Sequence, residues 1–324
     1  MKRFLPAAFL LSLLSCTGEK AEMPSSEIRV RVVGATKAAD EGTSDEVRTL
    51  DLLVFRSSDG MLESRSRQEG TLSVSCSCTS GRELRWYLVA NAPEGLSFAS
   101  ESAFLEGVTC LSDQEESIVM HAEGSVFLSG KPEGIEARLK RYPCKISLDA
   151  IRVPWMDSEG APSEFRLGRI AVINAVGTCH YSGIPDTDGP WLNKAEAEDV
   201  SPLLFKDHGG TLIPSSGLFP CQTTLYSLPN PTDSGINSSN TASWCPRNTR
   251  LCVELLAGGI SYWYPVDLRG MEGNCHYRIT ELVVTGPGAG GPDRSITRDP
   301  VSFQLLISPW DSVSSDIDFG GEAE

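Results

Sequence analysis

Cys16 carries the most explicit chemistry in this chain. It closes the segment MKRFLPAAFLLSLLSC, in which Lys2 and Arg3 precede an apolar run from Phe4 to Leu14. Leu13-Leu14-Ser15 then puts a small residue directly before the thiol. That order is a lipobox: residues 1–15 are a lipoprotein signal peptide, and the Cys16 thiol takes an acyl chain such as palmitate and becomes the new N-terminus. The bland alternative is an ordinary cleaved signal that happens to end near a cysteine. The apolar run is too short to cross a bilayer as a helix, and no other run approaches the required length, so the expected attachment is the lipid alone.

The rest of the chain offers little chemistry. His121, His180, His208 and His276 are scattered and share no zinc-protease spacing. There is no GxSxG elbow, no P-loop and no GxGxxG entering a helix. Cys76 and Cys78 would point to one face of a strand, which suits either a metal corner without its second half or two buried thiols. Asp186-Thr187-Asp188-Gly189 begins like a calcium loop but lacks the later carboxylates, so it reads as a solvated turn. Six tryptophans (Trp86, Trp155, Trp191, Trp244, Trp263 and Trp310) could stack sugars or simply pack. No cofactor, no metal and no enzymatic activity are expected.

A formal charge of −15 repels nucleic acid, which is excluded as a main partner. At 324 residues the chain is comfortable as two domains. Export permits disulfides, but the ten cysteines are irregularly spaced and one or two bridges at most are expected. Residues 16–26 read as a polar tether. Residues 27–33 (EIRVRVV) alternate Ile28, Val30 and Val32 against Arg29 and Arg31, the pattern of a half-buried strand. Further strands are expected at 47–55, 71–77, 84–90, 166–176, 251–256, 262–266, 276–285 and 301–308, with two consecutive strands over 135–153 kinked at Pro143. Only 99–120 leans weakly toward helix. Residues 177–250, rich in Gly, Pro, Ser and Asn, read as a loop-rich insertion. Many short strands with turn residues between them indicate an all-β sandwich architecture. The expected domains are 27–133 and 134–324, with no internal repeat visible.

Several segments together resemble the fimbrillins of type V pili, the FimA-like major pilin family. Asn274-Cys275-His276-Tyr277 running into Thr285-Gly286-Pro287-Gly288 is similar to that family's N-H-x-Y strand and T-G-P-G turn. Val301–Trp310 (VSFQLLISPW) is similar to its last strand, which ends at Trp. Leu139-Lys140-Arg141 followed by 145–153 resembles the strand that opens the second domain. Residues 47–55 with Asp59-Gly60, and 87–93 (YLVANAP), resemble strands of the first. The likeness runs from the lipobox to about Phe319 and leaves only 177–250 unmatched.

The resemblance implies two transthyretin-like β-sandwich domains in tandem and a structural subunit of a cell-surface fimbria. It implies export as an outer-membrane lipoprotein and polymerisation by donor-strand exchange after a trypsin-like surface protease cuts behind the first strand. Carried onto this sequence, Ile28, Val30 and Val32 mark the sacrificial strand, and Val301, Phe303, Leu305 and Ile307 alternate to one face of the donor strand. Lys37 is the one basic residue in the 34–46 loop, where the major pilins carry Arg. Cleavage is therefore expected after Lys37, with Arg31 as second choice. The implied partners are other copies or other fimbrial subunits, the protease, the outer membrane through the lipid, and a receptor on a host or bacterial surface. The alternatives left open are a non-polymerising tip or anchor subunit and a lipid-anchored glycan-binding protein.

Overall fold

The computed structural model describes residues 24–34, 46–156, 162–214, 217–233, 246–294, 296 and 301–310. Cys16, Lys37, Trp244 and Cys245 lie outside the described residues. The first half comprises β1 (Ser25–Val32), β2 (Thr49–Arg56), β3 (Leu62–Glu69), β4 (Ser73–Thr79), β5 (Arg82–Ala90), α1 (Glu101–Glu106), β6 (Val108–Cys110), β7 (Met120–Leu128), β8 (Glu133–Ala137) and β9 (Lys140–Arg141). They form a three-stranded sheet β4-β1-β8 and a five-stranded sheet β3-β2-β5-β7-β9. The second half comprises β10 (Cys144–Arg152), β11 (Phe165–Ile173), β12 (Ala175–Val176), β13 (Thr178–His180), β14 (Trp191–Leu192), β15 (Phe205–Ile213), β16 (Phe219–Ser227), β17 (Thr249–Ala257), β18 (Ile260–Leu268), β19 (Cys275–Val284) and β20 (Val301–Pro309). Its two main sheets are β16-β10-β19-β20 and β15-β11-β17-β18. The architecture is two β-sandwiches in tandem.

The two halves repeat one topology. In each, the opening strand (β1 or β10) sits between an antiparallel neighbour (β4 or β16) and a parallel one (β8 or β19). The facing sheets match as well, β3-β2-β5-β7 against β15-β11-β17-β18. The sequence shows no such repeat, because a sandwich asks only for alternation and turns, which unrelated residues satisfy.

Three expectations change. First, β8 pairs with β1 and β9 pairs with β7, so the sheets of the first half extend through Arg141, past the boundary drawn at 133/134. Second, the 177–250 stretch is not loop throughout: within it β15 and β16 are nine-residue strands that flank β11 and β10. Their solvent faces are polar, and Gly209 and Gly210 take positive φ beside a register shift, so composition alone reads as loop. Third, β1 begins at Ser25, inside the segment read as tether, and Ser26 is buried opposite Cys78.

β2 reads LDLLVF with hardly any alternation because both of its faces are covered. On one side Phe55 and Tyr87 meet Phe104 of α1, and Phe104 stacks on Tyr181 with ring centroids 5.4 Å apart. Tyr181 follows β13, which pairs with β6, so this aromatic cluster ties the second half to the first. The other face carries Leu52, Val54, Trp86 and Leu88, all buried.

His121 on β7 stacks on Tyr142, centroids 4.5 Å apart. Burial, helped by nearby Lys140, pushes its pKa down from 6.5 to about 4. The folded protein therefore holds a neutral imidazole while the unfolded chain binds a proton from about pH 6.5 downward. The contribution to stability is complete above that pH and is lost as pH falls toward 4, where it amounts to about 3 kcal/mol. Chemical unfolding at pH 7.5 and pH 4 should show this loss in the wild type and a much smaller one in His121→Phe.

Candidate functional site

The described residues bring no catalytic group together. His180 Nδ1 meets the Glu106 carbonyl, His208 meets Thr223 and His276 meets Ser147, each in its own neighbourhood. The Asp186 carboxylate accepts from Thr178 Oγ1 at 3.0 Å, as a turn residue does. No cluster of three or more His, Cys, Asp or Glu suited to a metal occurs among the described residues. All eight described cysteines are free thiols. Trp86, Trp191, Trp263 and Trp310 are buried and Trp155 is half-buried, so none of these offers an open stacking platform for a sugar.

What the fold does present is a strand held at the centre of a sheet by its edges and one face. The alternation EIRVRVV sends Ile28, Val30 and Val32 into the core at 0–3% exposure and Arg29 and Arg31 outward. Ile28 lies opposite Cys76 and Val30 opposite Val74 on β4; Val30 and Val32 lie opposite Ile135 and Ala137 on β8. Burying the three apolar side chains stabilises the first sandwich by roughly 5–8 kcal/mol. The chain enters at Pro24, whose carbonyl accepts from Ser80 N, and leaves at Gly34, which takes φ 69. It resumes at Glu46, whose carbonyl accepts from the Asn91 amide. Lys37 lies in the sequence between these two points, outside the described residues. Arg31 is paired on both sides, to Ser73 and to Glu136. A protease that binds its substrate as an extended strand has no free edge to grip there.

β20 has the opposite character. It pairs with β19 on one side, and no strand pairs with its outer edge among the described residues. Val301, Phe303, Leu305 and Ile307 share the face of Val284, Leu282, Ile279 and Tyr277, as the alternation requires. Val301 and Leu305 reach the core only in part, while Phe303 is 41% and Ile307 59% exposed. On the opposite face Leu306 is also exposed. A strand with so little buried surface costs little to detach.

The hold on β20 is at its end. Trp310 is buried, stacks on Tyr226 at 5.5 Å, and lies under the Arg141 guanidinium at 4.6 Å. Arg141 Nη1 donates to the Trp310 carbonyl at 2.6 Å, and Trp310 N donates to Asn274 O at 2.7 Å. Asn274, in the left-handed region, uses its side-chain oxygen to accept from Arg141 N. The sequence marks Trp310 as the end of the last strand, but Arg141, Tyr226 and Asn274 carry no signal that they meet there.

A scan of protein-family models finds no match, and a search of curated proteins finds no significant one either. Solved structures do match. A fimbrilin (FimA) from Porphyromonas gingivalis superposes with a TM-score of 0.66 at 16% identity, covering 89% of this chain and 98% of the other. A candidate cell adhesion protein from Parabacteroides distasonis gives 0.65 at 18%, covering 89% and 99%. The tip fimbrial protein Mfa3 from P. gingivalis, truncated at its C-terminus, gives 0.53 at 14%, covering 89% and 100%. The chain has the fold of these fimbrial and adhesion proteins along nearly their whole length.

Proposed function

We propose that this protein is a structural subunit of a cell-surface fimbria, delivered as an outer-membrane lipoprotein acylated at Cys16 and assembled by strand exchange. The observation that carries the reading is the contrast between the two end strands. β1 fills a slot between β4 and β8 with three fully buried side chains, and it connects directly to the segment holding Lys37. β20 is an apolar, half-exposed edge strand. Cleavage behind β1 frees the strand together with the lipid, leaving a slot with unpaired backbone on both walls. β20 of another copy, or of a different fimbrial subunit, supplies alternating apolar side chains and backbone partners to fill it. Cys16 is then a delivery tag rather than a permanent anchor.

Lys37 is the favoured scissile residue, and Arg31 is disfavoured by its double pairing. Treating the lipidated chain with a Lys-specific surface protease should release the N-terminal segment and produce SDS-resistant ladders on electrophoresis. Lys37→Gln should abolish both. Clean release without any ladder would remove the stalk-subunit reading and leave a terminal subunit.

A further inference from the structure

Cys76 and Cys78 stand two residues apart on β4, so both thiols project from one face. Their sulfurs are 3.8 Å apart and in hydrogen-bonding contact. Both are buried, and their partners across the ladder are Ile28 and Ser26 of β1. Either sulfur can donate in that contact, and the shared hydrogen bond favours loss of one proton from the pair while burial opposes loss of the second. The fully buried Cys144 and Cys252 of the second sandwich instead donate singly to carbonyls, of Glu272 and Pro292.

A disulfide needs Cβ atoms about 3.5–4.5 Å apart. Residues i and i+2 of an extended strand are separated by about 6.6 Å along its axis. Joining the two sulfurs therefore requires β4 to shorten around Ser77, which breaks its pairing with Ser26, Glu27 and Ile28. While β1 is docked, its ladder holds the two thiols in contact but keeps their Cβ atoms too far apart for a disulfide.

We propose that Cys76 and Cys78 form a redox-active dithiol in the wall of the β1 slot, closed to an intrastrand disulfide by a small-molecule disulfide when β1 loosens or leaves, and that the closed form no longer accepts a strand. One thiolate of the pair attacks the reagent disulfide and expels one thiolate. The other cysteine then attacks the mixed disulfide and expels the second. The two protein protons end on the two released thiols, so one disulfide is consumed and one is formed. The biological consequence, a slot that oxidation shuts against a donor strand, rests on the strand-exchange reading. The coupling of thiols to β1 does not.

The test uses the full chain with oxidised glutathione as probe and peptide mass mapping as readout. Wild type, Val30→Ala and Ile28→Ser/Val30→Ser are compared, with Cys144 and Cys252 as internal references for global unfolding. Closure of the 76–78 pair should be at least about tenfold faster in the double variant than in wild type, with Val30→Ala between them and both reference thiols silent. If the double variant exposes Cys144 and Cys252 as well, the comparison rests on Val30→Ala against wild type. By reciprocity, amide exchange across residues 25–32 should rise in the closed form and return on reduction, and Cys76→Ser/Cys78→Ser should show neither change. Equal closure rates in all chains, or a pair that ends as two separate glutathione adducts, would overturn the proposal. No polymer is formed in this experiment, so a failed ladder assay and a failed thiol assay point to different errors.

Discussion

A chain that begins at residue 34 is expected to lose the first sandwich while keeping the second, and a synthetic peptide of residues 24–33 added in trans is expected to restore it. The side chains of Ile28, Val30 and Val32 are almost wholly buried, and their removal costs roughly 5–8 kcal/mol before the backbone is counted. Whole-domain stability is only about 5–15 kcal/mol, so the remaining strands are left at or beyond their limit. The walls are also orphaned, because β4 and β8 both spend their backbone groups on β1 and not on each other. The peptide stabilises only the folded form and should raise the midpoint with the logarithm of its concentration. Thermal unfolding followed by near-ultraviolet circular dichroism should show one transition in the truncated chain alone and a second, lower one once peptide is added, moving with its concentration. A peptide carrying Val30→Asp should have no effect, since a carboxylate cannot be buried opposite Val74 and Ile135 without a partner. A truncated chain as stable as the full one would mean that β1 is not what completes the sandwich.

How much of this was legible in the sequence depends on which faces each strand covers. β1 was readable because one face is core and the other water, so Ile28, Val30 and Val32 alternate with arginines. β3, reading LESRSRQE, carries no strand signal because it is an edge strand whose side chains are mostly charged or polar on both faces. β15 reads as loop because Asp207, Gly209 and Gly210 have loop composition but form a bulge in a strand. The pairing of Cys76 with Cys78 follows from their spacing alone once the segment is a strand. The clamp around Trp310 does not: Arg141 is 169 positions away, and only the closing of the two sheets brings them together. Local patterning thus exposes both end strands, β1 and β20, while the device that restrains the second is a product of topology.

That restraint carries the second large effect. Trp310→Ala should detach β20 from β19 without unfolding the sandwich that holds β19. Truncating a buried Trp costs about 3–5 kcal/mol. Here the loss falls on a strand that has little else: Val301 and Leu305 are only partly covered, and Phe303, Leu306 and Ile307 are largely open. Amide exchange across residues 301–309 should therefore accelerate by at least about 100-fold, the equivalent of roughly 3 kcal/mol in local opening. Residues 144–152 of β10, which β20 does not touch in the sheet, should keep their protection. Arg141→Gln should give a smaller acceleration, because it removes the cation over the ring and a charge-assisted bond to the Trp310 carbonyl but leaves the Tyr226 stack. The two readings of β20 then diverge. If it is only an edge strand, freeing it should leave protease-treated protein monomeric. If it is the donor, freeing it lowers the cost of leaving its own sheet, and SDS-resistant ladders should form faster in Trp310→Ala than in wild type after the same cleavage. Slower or absent ladders in a variant whose β20 is shown to be free by exchange would rule out β20 as the donor strand.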